Sequence, residues 1–134
     1  MGVSKPSVNK TSISAGAVIR QMLMSCPAVT ARTNKVFPVV TDQATLPYIL
    51  YRRASMEQIP VKSAAGADTV RIEVLCFTEK YTDGVELAEA VRMALDQQQD
   101  EKDGLRIRSC TYIDGEESWQ DDAYIQELDF NVKL

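Results

Sequence analysis

A chain of 134 residues with 45% apolar and 25% charged side chains has the length of one globular domain, and it can bury a core without disulfide or metal staples. A formal net charge of −4 argues against a protein that holds nucleic acid by bulk positive charge. Histidine is absent, which excludes Ser-His-Asp and Cys-His catalysis and removes the commonest metal ligand.

The chain opens with Met1–Thr11, a polar stretch without periodicity that is expected to be a mobile arm. A first helix is predicted over Ser14–Ser25, capped by Ser12 or Ser14, with Val18, Ile19, Met22 and Leu23 as its buried stripe and Pro27 helping to end it. Its apolar run, Ala15–Met24, is broken by Arg20 and Gln21 and is too short to span a bilayer. No signal peptide is visible, so the chain is expected to be made and kept in a cytoplasm, with no membrane partner. Thr30–Asn34 reads as a loop. Lys35–Val40 is short, β-branched and aromatic, and Pro38 marks it as an edge strand or an irregular segment. A polar turn at Asp42–Thr45 leads into a strand from Leu46 to Arg53, with room to reach Gln58. Ile49 and Tyr51 share one of its faces, Tyr48 and Leu50 the other. The small residues within Pro60–Asp68 make a loop between two long strands, suited to a projecting hairpin tip.

Thr69–Gln99 is the best-patterned stretch. Val70, Ile72, Val74 and Cys76 alternate with Thr69, Arg71, Glu73, Leu75 and Phe77, which is a strand with one strongly apolar face. After a polar break at Thr78–Lys80 the period changes to that of a helix. Val85, Ala88, Val91 and Leu95, with Leu87 and Ala94, form the stripe to be buried. Thr82 or Asp83 is the expected cap, and Asp83 with Glu86 has the spacing of a capping box. Fraying through Gln97–Gln99 gives way to a charged turn, Asp100–Gly104, in which Gly104 supplies a positive φ. Leu105–Ile113 alternates as one strand. Asp114-Gly115-Glu116-Glu117 carries an Asp-Gly turn signal, and Ser118–Asp122 follows as a polar link holding Trp119. The last strand spans Ala123–Leu134. Tyr124, Leu128, Phe130, Val132 and Leu134 line one face, while Glu127, Asp129, Asn131 and Lys133 make the other face wet.

These elements make an α+β fold: a mostly antiparallel sheet of about five strands with two helices packed on one face. Residues 1–12 are the flexible arm and 13–134 the single domain. Whether the strand–helix–strand piece is a parallel crossover is left open by the pattern.

Little in the chain suggests chemistry. Cys26, Cys76 and Cys110 are odd in number, lack CxxC spacing and read as buried reduced thiols, not a zinc site. The glycine-rich phosphate motifs GxGxxG and GxxxxGK[ST] are absent. Asp114, Glu116, Glu117, Asp121 and Asp122 lack the ligand alternation of a calcium loop and read as a solvated hairpin end. Glu73 is expected to pair across strands with Arg106 or Arg108, and Arg52, Arg53 and Arg71 form a basic patch able to touch phosphates. No catalytic residue, no metal and no cofactor is expected, and the chain is not read as an enzyme.

Five pieces, in this order, resemble one family. They are Lys35-Val36-Phe37-Pro38 after a helix, Leu46-Pro47-Tyr48-Ile49-Leu50-Tyr51, the strand Val70–Phe77, the helix Tyr81–Leu95 with Leu87-Ala88-Glu89-Ala90-Val91-Arg92 at its heart, and a closing strand with Tyr124 and Phe130. Together they are similar to the phage tail-completion proteins, also called tail terminators or head–tail joining proteins, from Ile13 to Leu134. The resemblance implies a structural protein of the virion neck, assembled in the host cytoplasm. Its partners would be copies of itself in a ring, often a hexamer, together with the tail tube protein and the head–tail connector. Double-stranded DNA would pass through the lumen without specific binding. Heterologous ring contacts would fall on Arg52, Arg53 and the loop residues Ile59, Val61, Lys62, Ala65 and Gly66. Glu127 and Asp129 would face the channel. The alternative is a monomeric α+β module that binds a small ligand or a peptide strand.

Overall fold

The computed structural model describes residues 5–42, 44–58 and 68–134. A 3₁₀ turn, Ser12–Ser14, runs into helix α1 (Ala15–Met24), followed by α2 (Pro27–Thr30), β1 (Val36–Pro38), β2 (Tyr48–Gln58), β3 (Asp68–Thr78), α3 (Tyr81–Leu95), β4 (Asp100–Lys102), β5 (Leu105–Ile107), β6 (Ser109–Gln120) and β7 (Ala123–Lys133). Five strands form one sheet in the order β1-β2-β3-β7-β6, and β4 and β5 form a separate ribbon. Only the β1–β2 pair is parallel; the β2–β3, β3–β7 and β6–β7 pairs are antiparallel. The expected α+β class and mostly antiparallel sheet are therefore what the chain forms. The open question of the crossover resolves as well. Because β7 lies antiparallel between β3 and β6, the β3–α3–β6 connection is a parallel crossover with β7 inserted at its centre.

Period-two patterning places the core on one side of this sheet. Val70, Ile72, Val74 and Cys76 of β3, with Leu128, Phe130 and Val132 of β7, are buried against α1 and α3. The α1 stripe is the expected one, Val18, Ile19, Met22 and Leu23, all buried. That of α3 is rotated from the expectation: Leu87, Ala90, Val91, Ala94 and Leu95 are buried, while Val85 and Ala88 are only partly covered. A run of alanines tolerates either rotation, and the larger Leu87 selects the one that reaches the sheet.

Four local expectations are corrected. Ser14 occupies the N-cap position of α1 but makes no side-chain cap hydrogen bond, and Ser12 lies in the turn before it. Thr11 accepts from the Ile13 N–H instead, and the buried Ser12 hydroxyl donates to Asp68 Oδ2 at 2.5 Å. Helix α3 begins at Tyr81 after Lys80, so Asp83 lies inside its first turn and no capping box forms. There Asp83 still meets the positive end of the helix dipole. The charged turn at Asp100–Gly104 is a hairpin: β4 pairs β5, and Asp103 (φ 52) and Gly104 (φ 83) make the two-residue turn with positive φ throughout.

The fourth correction is the largest. Leu105–Ile113 is two strands, interrupted at Arg108, so the facing parity flips: Leu105 and Ile107 are buried, then Cys110 is buried while Ile113 is 41% exposed. The Asp114–Gly115 step is no turn. β6 runs through it to Gln120, with a bulge between Tyr112 and Asp114, and the chain reverses at Asp121 (φ 52) and Asp122 (φ 62). Gly115 serves close approach. A Cβ there would lie 2.4 Å from the Tyr112 hydroxyl and 2.9 Å from the Glu127 carbonyl oxygen. Glycine within a strand often marks such a close approach, and a dipeptide pattern cannot tell that use from a turn.

Candidate functional site

The helix-free face of the sheet is built from the residues that alternate with the core positions. Its register lines up Arg52, Glu73, Asp129 and Asp114 across four strands, and Leu50, Leu75, Glu127 and Glu116 in the next row. At one end, Tyr48 stacks on Phe77 with centroids 4.6 Å apart, so that end is apolar. The other end is charged. The Arg52 guanidinium reaches Glu73 Oε1 at 2.7 Å, and Arg71 donates to Asp129 and lies 3.8 Å from Asp114. Glu73 therefore pairs with Arg52 and not with Arg106 or Arg108, because β2, not β5 or β6, is its neighbour on that side. Arg71, assigned by sequence to a phosphate-touching patch, is engaged with carboxylates.

Charge on this face does not cancel. Glu73, Asp114, Glu116, Glu127 and Asp129 outnumber Arg52, Arg71 and Lys133, which leaves an excess of two carboxylates (five minus three). Asp129 is 2% exposed and its Oδ1 has no hydrogen-bond partner among the described residues. Partial burial, followed by Asp129 and Glu73 nearby, pushes the Glu127 carboxyl up to about 7. Ligand oxygens of Glu73, Glu127 and Asp129 lie within 4.8 Å of one another. A proton on Glu127 is the simplest relief of that crowding.

A second feature sits at the β1 edge. A groove of about 440 Å³ opens between the start of α1, the end of β1, β2 and the β4–β5 ribbon, lined among others by Lys10, Ile13, Val39, Tyr51, Arg53 and Lys102. Val39 and Ile13 are 63% and 68% exposed there. Val39 has φ 62, and the Val40 N–H donates to the Pro38 carbonyl at 2.7 Å around it. That is the strained form of the γ-turn, held by a β-branched residue.

Of the residues singled out by sequence for assembly, Arg52 lies on the open face and beside the groove, and Arg53 lines the groove. Ile59, Val61, Lys62, Ala65 and Gly66 lie outside the described residues. Glu127 and Asp129 are neighbours on the open face; Asp129 is committed to Arg71, and Glu127 has no cation partner among the described residues. The groove escaped sequence reading because its walls come from four separate elements. The exposed Ile13 and Val39 were its only trace in the pattern.

The cysteines carry no site. Cys76 and Cys110 are buried and all three are unpaired with one another. Burial pushes the Cys76 thiol well above its ordinary value and the Cys110 thiol to about 12. Among the described residues, no helix is long and apolar enough to cross a membrane.

The sequence model of the tail completion protein gp17 family matches residues 17–132. The chain belongs to that family, and it is a structural protein of the virion tail. Among solved structures, a chain from the virion of a native gene transfer agent particle has the same fold, with a TM-score of 0.78 at 17% identity, covering 92% of this chain and 98% of that one. No curated protein matches.

Proposed function

We propose that this protein is the tail terminator: a ring that caps the tail tube, stops its growth and joins it to the head connector, without catalysing a reaction. The match to the tail completion family over residues 17–132 carries the reading. Physical features support it. A ring needs unlike patches that can meet head to tail, and the two edges of this sheet differ in charge and shape. Arg52 and Arg53 take part in subunit contacts. The open sheet face, with Glu127 and Asp129 on its central strand β7, lines the conduit, where excess negative charge keeps a passing duplex from adhering. Tube protein and connector bind the two rims.

Light scattering on the purified protein, with negative-stain images of it, tests the assembly: a discrete ring with a central opening is expected. Particles made without the protein should have tails of uncontrolled length that fail to join heads. A chain that stays monomeric at every concentration and on isolated tail tubes, with normal joined tails forming in its absence, would overturn the reading and favour a ligand-binding module.

A further inference from the structure

The two outer edges of the sheet are complementary. At one edge lies β6, with Ile113 41% and Trp119 58% exposed. From Ser109 to Ala123 it carries Asp114, Glu116, Glu117, Asp121 and Asp122 and not one cation. At the other edge lies the groove beside β1. Its lining includes Lys10, Arg52, Arg53 and Lys102 against the single acid Asp103. Arg52 is occupied by Glu73, whereas Lys10, Arg53 and Lys102 make no ion pair among the described residues. Between these cations, the apolar floor is exposed at Ile13 and Val39, the latter held in a strained turn. β1 covers β2 only from Ile49 to Tyr51, so among the described residues the outer edge of β2 beyond Tyr51 has no strand partner.

We propose that the acidic, Trp119-bearing edge of β6 docks into the basic-rimmed groove beside β1 of a second copy of this chain. The proposal rests on the ring reading and names the contact that closes the ring. Charge complementarity selects the occupant: an acidic edge with an exposed indole fits a groove with an apolar floor and three uncommitted cations. Position selects the symmetry. The patches are separated by four interstrand steps, about 19 Å at roughly 4.8 Å each. Unlike patches on opposite edges cannot satisfy each other within a twofold pair that uses one surface, but they repeat from copy to copy around an axis. Exposed sheet edges are otherwise an aggregation hazard, and a defined neighbour removes it.

Charge exchange between the two patches is the test. A groove variant carries Lys10→Glu, Arg53→Glu and Lys102→Glu. An edge variant carries Glu116→Lys, Glu117→Lys, Asp121→Asn and Asp122→Asn; asparagine tolerates the left-handed backbone at the last two positions. All seven residues are exposed, so far-UV circular dichroism should match the parent. Each variant alone brings like charges together across the contact, and its assembly midpoint should rise by roughly tenfold or more. Mixed in equal amounts, each variant's groove meets the other's edge with opposite charge, and rings of alternating copies should return. The only tryptophan, Trp119, should shift its emission to shorter wavelength in wild-type rings and in the mixture. If wild-type rings form and both variants assemble as readily alone, or the folded mixture fails to assemble, this contact is wrong and the ring reading stands. If the wild type never assembles, both fall together.

Discussion

Replacing Gly115 by alanine separates a glycine that turns the chain from one that makes room. The added Cβ would meet the Tyr112 hydroxyl at 2.4 Å and the Glu127 carbonyl oxygen at 2.9 Å. Neither gives way cheaply. The Tyr112 ring packs edge-on to Phe130 with centroids 5.7 Å apart, and the Arg92 guanidinium lies 4.4 Å from its centroid. The Glu127 carbonyl belongs to the central strand β7. Forcing a methyl into such a site costs about 2 kcal/mol. An entropy of unfolding of roughly 2 cal/mol/K per residue converts that to a fall in Tm of about 7 °C for a domain of this size. Urea unfolding at fixed protein concentration measures it, since assembly makes apparent stability concentration-dependent. Tyr112→Phe removes the nearer of the two contacts, so Gly115→Ala should cost about 1 kcal/mol less in that background, a coupling readable in a double-mutant cycle. Asparagine, well suited to a turn, should be at least as damaging as alanine here. A Gly115→Ala protein as stable as the parent, or a cost unchanged by Tyr112→Phe, would refute the steric account.

Further expectations follow from the charged face and the core. The Glu127 carboxyl, raised to about 7, lies among Asp129, Glu73 and Glu116, with Arg71 bound to Asp129 and Arg52 to Glu73. A carboxylate raised on folding binds more protons in the native state, so its contribution is harmless below the unfolded value near 4.5 and destabilises as pH rises from there through about 7. Glu127→Gln should therefore add about 1 kcal/mol at pH 8, after allowance for solvent screening, and nothing at pH 4, as read from urea midpoints. Arg71→Ala strands the buried Asp129 and should lower the urea midpoint more than Arg53→Ala does, with partial recovery on adding Asp129→Ala. Phe130, fully buried, should cost about 4 kcal/mol when cut to alanine. Thiol titration of the native protein should find Cys26 reactive and Cys76 and Cys110 silent until urea unfolds the chain.

Periodicity alone carried the central strand β3 and the existence of the helix after it. The alternation from Val70 to Cys76 and the stripe of α1 appear in the structure as the sequence has them, because burial on one face imposes a period that no partner can change. The α+β class and the one-sided core were legible for the same reason, and the family resemblance was legible from motifs in a fixed order. Turns and pairings were not. Asp-Gly at 114–115 carries the composition of a turn, and only the pairing of Asp114 with Asp129 and of Gly115 with Leu128 makes it part of a continuous strand. Arg52 became the partner of Glu73 only once β2 took its place beside β3, and the groove exists only where four elements converge. Local sequence thus set which side of α1, β3 and β7 faces the core, since that depends on neighbours along the chain. Strand order, ion-pair partners and the two unlike edges depend on contacts between residues far apart in it, and those were decided by packing in three dimensions.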